Sequence, residues 1–571
     1  MQKRAVCVIL FKEKIRGVNF SFSRAVFFLL EKQAENPQKN DKNARGSYIK
    51  MEQTYNATEG KLLVEKLVCY AKTFLSLGEL DEVYTRNLLL GEFGLISAAV
   101  NPEIDTQAIA NMQVPDELYN EVMAYAKANK LCEEGYEDIY ATYIFGILTP
   151  KPSEVNATAI KLREQMSAKA FCEYFYNLCI KNNYIRKSAI DKNIGWEFKD
   201  GDRVLEITIN LSKPEKDNKD IAKLVNAPKD DTKYPACLLC RENEGYRGTL
   251  THPARTNLRT ISMDLAGERW YMQYSPYAYF YQHCILLSGK HTPMKMDKNT
   301  VEKLFDFIEL VPHYFIGSNS DLPIVGGSIL NHEHYQGGLH VMPMHKAGLA
   351  RVYSSAEYPD VEIGTVNWYN SVIRLSGYNR HTVTELAGKV IDSWKKYNDE
   401  SVNVIGLDEN GVRHNTCTAV ARFLPDNRYS IDLILRNNRT DKTYPDGIFH
   451  AHPEYHNIKK EGIGLIEAMG LYILPARLKR QLAEIEDILV TRNCDFNELA
   501  KAENDLHVHK DMIEKLLAEN PSVKDKAKAK EIVTAYVNKT CVEILKNTAV
   551  FKNDAVGVAA MTRFLQTVDV K

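Results

Sequence analysis

No apolar run in this 571-residue chain approaches the roughly 18–20 residues that span a bilayer. Nor is there a surplus of charge. Lys and Arg number 73 against 74 Asp and Glu, so no net field draws the protein to nucleic acid or to a membrane surface. The 11 cysteines are odd in number and mostly scattered, unlike the framework of a disulfide-stapled secreted domain. Near the N-terminus, the apolar patches 6–11 and 25–30 are separated by Lys12, Lys14, Arg16 and Arg24, which leaves no signal-peptide core. These absences point to a reduced, cytoplasmic protein whose partner is a small molecule. What is present, 44% hydrophobic residues, fills ordinary cores in about two to four domains.

Residues 1–50 are basic and end in a polar segment, while Asn56-Ala57-Thr58-Glu59 reads as a helix N-cap with a reciprocal glutamate. Met51 is therefore the expected start of the regular protein, and 1–50 a non-core extension. Apolar residues at Leu63, Leu67, Tyr70, Ala71 and Phe74 give an amphipathic helix over 61–77. Stretches 118–131 and 157–180 read the same way, so 51–200 is mainly helical and carries no cluster of catalytic residue types. Past 200 the texture changes. Segments 203–211, 260–265, 270–274 and 284–288 read as strands, and Val301, Leu304, Phe305 and Ile308 mark a helix over 300–310. A glycine-flanked histidine strand follows and continues over 339–344, so 201–350 is an α+β half. Residues 351–476 share this grammar: Arg413-His414-Asn415-Thr416 precedes a strand at 429–436, and His450-Ala451-His452 repeats the H-x-H spacing. An internal duplication with one active and one structural copy explains the likeness. From 477 to 571 helical periodicity returns, and 524–530 is a solvated charged face.

The stretch Gly326-Gly327-Ser328-Ile329-Leu330-Asn331-His332-Glu333-His334-Tyr335-Gln336-Gly337-Gly338 organises the rest. In an extended strand His332, His334 and Gln336 share a face, and glycine pairs on both sides admit a bulky ligand close to the backbone. Strand interiors seldom combine Gly with His for packing. A neutral imidazole is a competent nucleophile toward phosphorus, so His334 is the candidate nucleophile. Gln336 is a donor to a phosphoryl oxygen that does not compete as a base. The tight pair Cys237-Leu238-Leu239-Cys240 has zinc or redox spacing, against the plainer reading of two buried cysteines. With no second CxxC, two histidines must complete a zinc site: His332, beside the nucleophile, and one of His252, His283, His291 or His340. Arg255 offers a bidentate clamp for a diphosphate, and Asn319, Ser328 and Asn331 offer hydrogen bonds.

Together with Tyr234-Pro235-Ala236-Cys237-Leu238-Leu239-Cys240-Arg241-Glu242-Asn243-Glu244-Gly245 and His252-Pro253-Ala254-Arg255, the sequence Asn331-His332-Glu333-His334-Tyr335-Gln336-Gly337-Gly338 resembles the galactose-1-phosphate uridylyltransferases, specifically the class II bacterial branch, within the histidine-triad superfamily. The resemblance begins near Met51. It implies that His334 becomes uridylylated and Gln336 binds the transferred phosphoryl group. It makes His332 a zinc ligand with Cys237, Cys240 and His291, the last through the S-x-x-H pattern Ser288-Gly289-Lys290-His291. It sets Asn319 and Ser328 near the diphosphate, and Lys460 and Glu467, from the segment 459–467, against the hexose. Glu333 departs from the H-P-H-x-Q of class I. His414, His450 and His452 match the histidines of a second, structural metal found in some class I members, but Ala350 and Arg351 stand where its glutamate belongs. The implied fold is α+β: two histidine-triad-like halves of mostly antiparallel sheet, a helical N-terminal region and a helical C-terminal segment. The implied reaction exchanges UMP between UDP-glucose and galactose 1-phosphate, in a homodimer. The alternatives are a histidine-triad nucleotide hydrolase or phosphorylase, and a non-catalytic UDP-sugar-binding protein.

Overall fold

Residues 56–212, 234–327 and 329–571 are described in the computed structural model of the chain. The 1–50 extension, the charged loop 213–233 and Ser328 lie outside the described residues. Among those described, no helix is long and apolar enough to cross a membrane, and every cysteine is free. The architecture is α+β with mostly antiparallel sheet.

β1 (Ile194–Asp200) and β2 (Arg203–Ile209) pair as antiparallel neighbours. A meander follows, β3 (Ile261–Leu265), β4 (Glu268–Tyr274) and β5 (Cys284–Ser288), then the helix Lys298–Leu310, then β6 (Phe315–Ser318) and β7 (His334–Gly338), which inserts between β5 and β6. The same series recurs: β8 (Leu349–Tyr353), β9 (Glu362–Val366), β10 (Val372–Gly377), the helix Arg380–Trp394, then β11 (Asn415–Phe423) and β12 (Tyr429–Asn437), which inserts between β10 and β11. The ten-stranded order β3-β4-β5-β7-β6-β11-β12-β10-β9-β8 is therefore two copies of one unit, joined where β6 pairs with β11. In this repeat the counterpart of the His334 strand is β12. It is not the His450–His452 segment, which the H-x-H spacing had suggested. β13 (Leu471–Leu474) pairs parallel with β2 in a separate three-stranded sheet.

Local chemistry explains the crossing helix. Asp297 accepts the Thr300 N–H at 3.0 Å as N-cap, and Val301, Leu304, Phe305 and Ile308 are buried, each worth about 1.5–3 kcal/mol relative to exposure. This helix packs with Arg380–Trp394 over one face of the large sheet. On the other face Phe315, Val420, Ile434 and Val372 join Ile207, Leu471 and Tyr472 of the small sheet and Ile485 and Val537 of C-terminal helices in one core. Directly opposed residues in an antiparallel pair share a face. Gln336 lies opposite Gly317, which lies opposite Val420, so Gln336 and His334 point toward the small sheet. Glu333 and Tyr335 point toward Lys303 on the crossing helix.

The N-terminal helices serve the loop that follows the CxxC. Asn156, on the helix Pro152–Gln165, binds the Thr260 carbonyl and the Ser262 N–H at 2.8 Å each and so covers the edge strand β3. Asn182 and Asn257 donate reciprocally to each other's carbonyls at 2.7 and 2.9 Å. Buried Arg259 donates to the carbonyls of Pro150 (2.6 Å) and Thr149 (3.0 Å).

Three sequence expectations change. The helix read over 157–180 is two, Pro152–Gln165 and Ala168–Lys181, because Met166 leaves helical geometry and Ser167 caps the second by accepting the Ala170 N–H at 3.1 Å. The histidine strand stops at Gly338, whose φ of +146° suits glycine, and Pro343–Lys346 is a helical turn. His332 precedes the strand instead of lying in it.

Candidate active site and metal cluster

Three segments bring Cys237, Cys240, His291 and His332 together, with their ligand atoms all within 4.8 Å of one another. Cys237 Sγ lies 3.5 Å from Cys240 Sγ and 3.3 Å from His332 Nδ1, and Cys240 Sγ lies 3.0 Å from His291 Nδ1 and 3.7 Å from His332 Nδ1. A tetrahedral Zn²⁺ with ordinary bond lengths has ligand–ligand edges of about 3.3–3.8 Å; the donor set suits that ion, and the separations among Cys237, Cys240 and His332 fall in this range. His332 Nε2 donates to the Ser288 carbonyl at 2.9 Å, which directs Nδ1 to the cluster and fixes the ring. At the thiols, burial works against ionisation, but the adjacent His332 ring and the Leu239 N–H outweigh it and hold Cys237 below the ordinary thiol value. Burial and the neighbouring Cys237 push Cys240 up to about 11.

Two residues on, His334 is buried, and its Nδ1 donates to the His332 carbonyl at 2.8 Å. That acceptor selects the tautomer with a lone pair on Nε2, for which there is no partner among the described residues. Burial lowers the imidazole pKa below its usual value, so the ring is neutral at pH 7. Gln336 presents its amide oxygen to His283 Nε2 at 3.2 Å, which leaves the amide N–H groups for a ligand.

Gln336 forms part of the wall of a cavity of about 700 Å³ with Asn319, Gly326, Gly327, Lys460 and Glu467, a volume suited to a nucleotide-sized ligand. The far wall is the segment 459–467, tied down from both halves. Asn319 accepts the Leu465 N–H (3.1 Å), His450 Nε2 accepts the Ile463 N–H (3.2 Å), and fully buried Arg436 donates to the Ile463 carbonyl (3.1 Å). Glycine serves this approach of chain to chain and not only that of a ligand. A Cβ at Gly326, where φ is +101°, would stand 2.7 Å from the Ile463 oxygen, and one at Gly338 would stand 2.4 Å from the Gln282 oxygen.

The structure gathers Gln336, Asn319, Lys460 and Glu467 at the cavity, with His334 one alternation away on the same face of β7. Arg255 is not in the wall; its guanidinium lies over the Tyr184 ring, 5.6 Å from the centroid. Asn331 stands beside the Cys/His cluster, its Nδ2 3.3 Å from His291 Nε2. Ser328 lies outside the described residues. The histidines not gathered at the cluster have other partners: His252 with Asn243 (2.6 Å), His283 with Gln336, and His340 with Glu206 (2.7 Å). His414, His450 and His452 do not converge, and the Cys237 cluster is the one group of metal-ligand residues among the described residues. Sequence reasoning missed Lys459, which is buried and pairs with Glu467 at 2.5 Å, whereas its neighbour Lys460 is exposed. Two adjacent lysines give no signal of which turns inward.

The family described as galactose-1-phosphate uridyl transferase, N-terminal domain, matches residues 97–293, and its C-terminal domain matches residues 307–511. A galactose-1-phosphate uridylyltransferase of Caldanaerobacter subterraneus subsp. tengcongensis is 42% identical over 513 residues, spanning 89% of this chain and 98% of its own. That of Clostridium acetobutylicum is 41% identical over 88% of this chain and 98% of its own. That of Streptococcus mutans is 42% identical over 86% and 96%.

Proposed function

Because the chain belongs to the galactose-1-phosphate uridyl transferase family, we propose that it exchanges UMP between UDP-glucose and galactose 1-phosphate through a uridylyl group carried on His334. The protein is a nucleotidyltransferase; the substrates, the intermediate and a place in galactose catabolism belong to the proposal. The observation that carries it is the His334 tautomer, with Nδ1 committed to the His332 carbonyl and Nε2 left as a lone pair, next to a glutamine whose oxygen is already engaged.

Nε2 attacks the α-phosphorus of UDP-glucose. The N–P bond forms as the bond from that phosphorus to the bridging oxygen breaks, and glucose 1-phosphate leaves. The ring gains positive character, which the hydrogen bond from Nδ1 to the His332 carbonyl stabilises. Gln336 N–H groups receive charge developing on the phosphoryl oxygens. A phosphate oxygen of galactose 1-phosphate then attacks phosphorus, expels the imidazole and gives UDP-galactose. Lys460 and Glu467 contact the hexose phosphates, with Glu467 steadied by Lys459, and Asn319 stands near the diphosphate. Cys237, Cys240, His291 and His332 would hold zinc, which supplies structural cross-linking of the segments on either side of the nucleophile. A cytoplasmic setting agrees with the free cysteines, and the homodimer rests on the resemblance.

Incubation with UDP-glucose labelled in the α-phosphate is expected to give an acid-labile, alkali-stable labelled protein that discharges its label to galactose 1-phosphate. No label, or discharge to water at the same rate with and without galactose 1-phosphate, would overturn the reading, the second outcome marking a hydrolase. Metal analysis of the purified protein is expected to give about one zinc per chain. Cys240→Ser should lose most of it, and equal zinc in the variant would remove the cluster from the proposal.

A further inference from the structure

His283 was a candidate metal ligand by sequence, yet it lies away from the cluster and has no part in the reaction as described above. It is 1% exposed, at the start of β5's approach. Its backbone is fixed on both sides: its N–H donates to the Phe280 carbonyl (3.3 Å), and its carbonyl accepts the Ser275 N–H (2.8 Å). The ring stacks on Tyr279 with centroids 5.1 Å apart and planes at 26°, and packs against Phe280 at 4.7 Å. One side-chain hydrogen bond emerges from this aromatic setting, Nε2 to Gln336 Oε1 at 3.2 Å. Nδ1 is buried with no partner among the described residues.

A buried imidazole that satisfies only one of its nitrogens costs desolvation that a phenylalanine in the same slot would avoid. The cost is offset if the single bond has a use. An unconstrained glutamine amide can present either its oxygen or its nitrogen to a phosphoryl group, and the oxygen would repel it. A neutral ring with hydrogen on Nε2 can only donate to Gln336 Oε1, and this choice turns the amide N–H groups outward. Burial keeps the ring neutral, its pKa pushed down to about 4. Tyr279 and Gln336 both line the cavity, so the ring that sets the amide is itself held by a cavity wall residue.

We propose that His283 is a positioning residue: through its Nε2–H bond to Gln336 Oε1 it holds the glutamine amide with nitrogen toward the transferred phosphoryl group. The inference rests on the uridylyl-transfer reading above. It predicts dependence, because His283 would act only through Gln336. In single-turnover labelling with α-labelled UDP-glucose, His283→Phe keeps the ring packing, removes the donor and is expected to slow uridylylation about 10- to 100-fold, with the affinity for UDP-glucose little changed. His283→Gln, which restores an N–H near the same position, is expected to recover most of the rate. In a Gln336→Ala background His283→Phe should cost almost nothing further. Multiplicative losses in the double variant, or a His283→Gln protein as slow as His283→Phe, overturn the inference while the labelled wild type keeps the parent reading intact. A wild type that takes up no label overturns the parent reading and this inference with it. If His283→Phe does not fold, as judged by its thermal melt, His283→Leu takes its place in the cycle, with the same outcomes.

Discussion

Replacing His334 with asparagine is expected to lower uridylyl transfer by about 10⁴-fold or more and to leave no labelled protein, with UDP-glucose binding nearly unchanged. Asparagine is chosen for a geometric reason. Its Nδ2 falls close to the position of the imidazole Nδ1, so the variant can keep the donation to the His332 carbonyl (2.8 Å in the parent chain) and with it the path of the backbone into β7. Only the lone pair on Nε2 is lost. A large fall in rate at constant affinity marks an interaction made in the chemical step and not in ground-state binding. Alanine would be a blunter test, because it also empties a buried site and leaves the His332 carbonyl without its partner. Isothermal titration with UDP-glucose, single-turnover labelling and steady-state transfer form the set of measurements. Labelled His334→Asn protein, or transfer within tenfold of the parent, would remove His334 from the nucleophile role.

Parts of this site were legible in the sequence because their signals are local. The CxxC pair, the capped helix Lys298–Leu310 and the run from His332 to Gln336 each declare themselves within a few residues. β11 did not, for a physical reason. It lies at the join of the two halves and is buried on both faces over Asn415–Ala421, which erases the period-2 alternation that marks a half-exposed strand. The choice of His291 among four histidines was likewise not contained in spacing; it needed the family resemblance, because ligands converge across β5 and the turn before β7. The pairing of His283 with Gln336 is set by the register of β5 on β7, where Cys284 opposes Gly337, and no local pattern encodes that register. The loop glycines carry a second requirement that spacing does not reveal. Gly326 lines the cavity, and the side on which a Cβ would stand is filled by the protein's own segment at Ile463 and Gly464.

Lys303→Met is expected to destabilise the strand that carries His334 by about 3–5 kcal/mol, the usual cost of stripping one partner from a buried ion pair. Glu333 stands between His332 and His334 and turns the other way, toward the crossing helix. There Lys303 Nζ lies 3.2 Å from each of its carboxylate oxygens, with the side chains 5% and 7% exposed. Tyr335 donates to the same carboxylate at 2.7 Å and stacks on Trp270 at 4.6 Å. Lys303 also reaches Glu268 at 2.9 Å, but Glu268 is 39% exposed and finds water when the lysine goes, whereas Glu333 keeps only the tyrosine hydroxyl. The backbone of Glu333 joins the two elements that matter. Its N–H donates to the Thr292 carbonyl (2.7 Å), and its carbonyl accepts the Ser288 N–H (3.0 Å), so it bridges the segment carrying His291 to the strand carrying His334. This is where the glutamate that replaces the class I proline acts: it anchors the strand from behind, leaving the opposite face to the two histidines and Gln336. Hydrogen exchange at the Ser288 and Glu333 amides should therefore accelerate about 10²- to 10⁴-fold in Lys303→Met. The double variant Lys303→Met/Glu333→Gln removes the stranded charge and keeps an acceptor for Tyr335, and it should recover most of the protection. Exchange within about tenfold of the parent in Lys303→Met would show that apolar packing around Trp270 and Tyr335, and not the ion pair, holds the strand that carries His334.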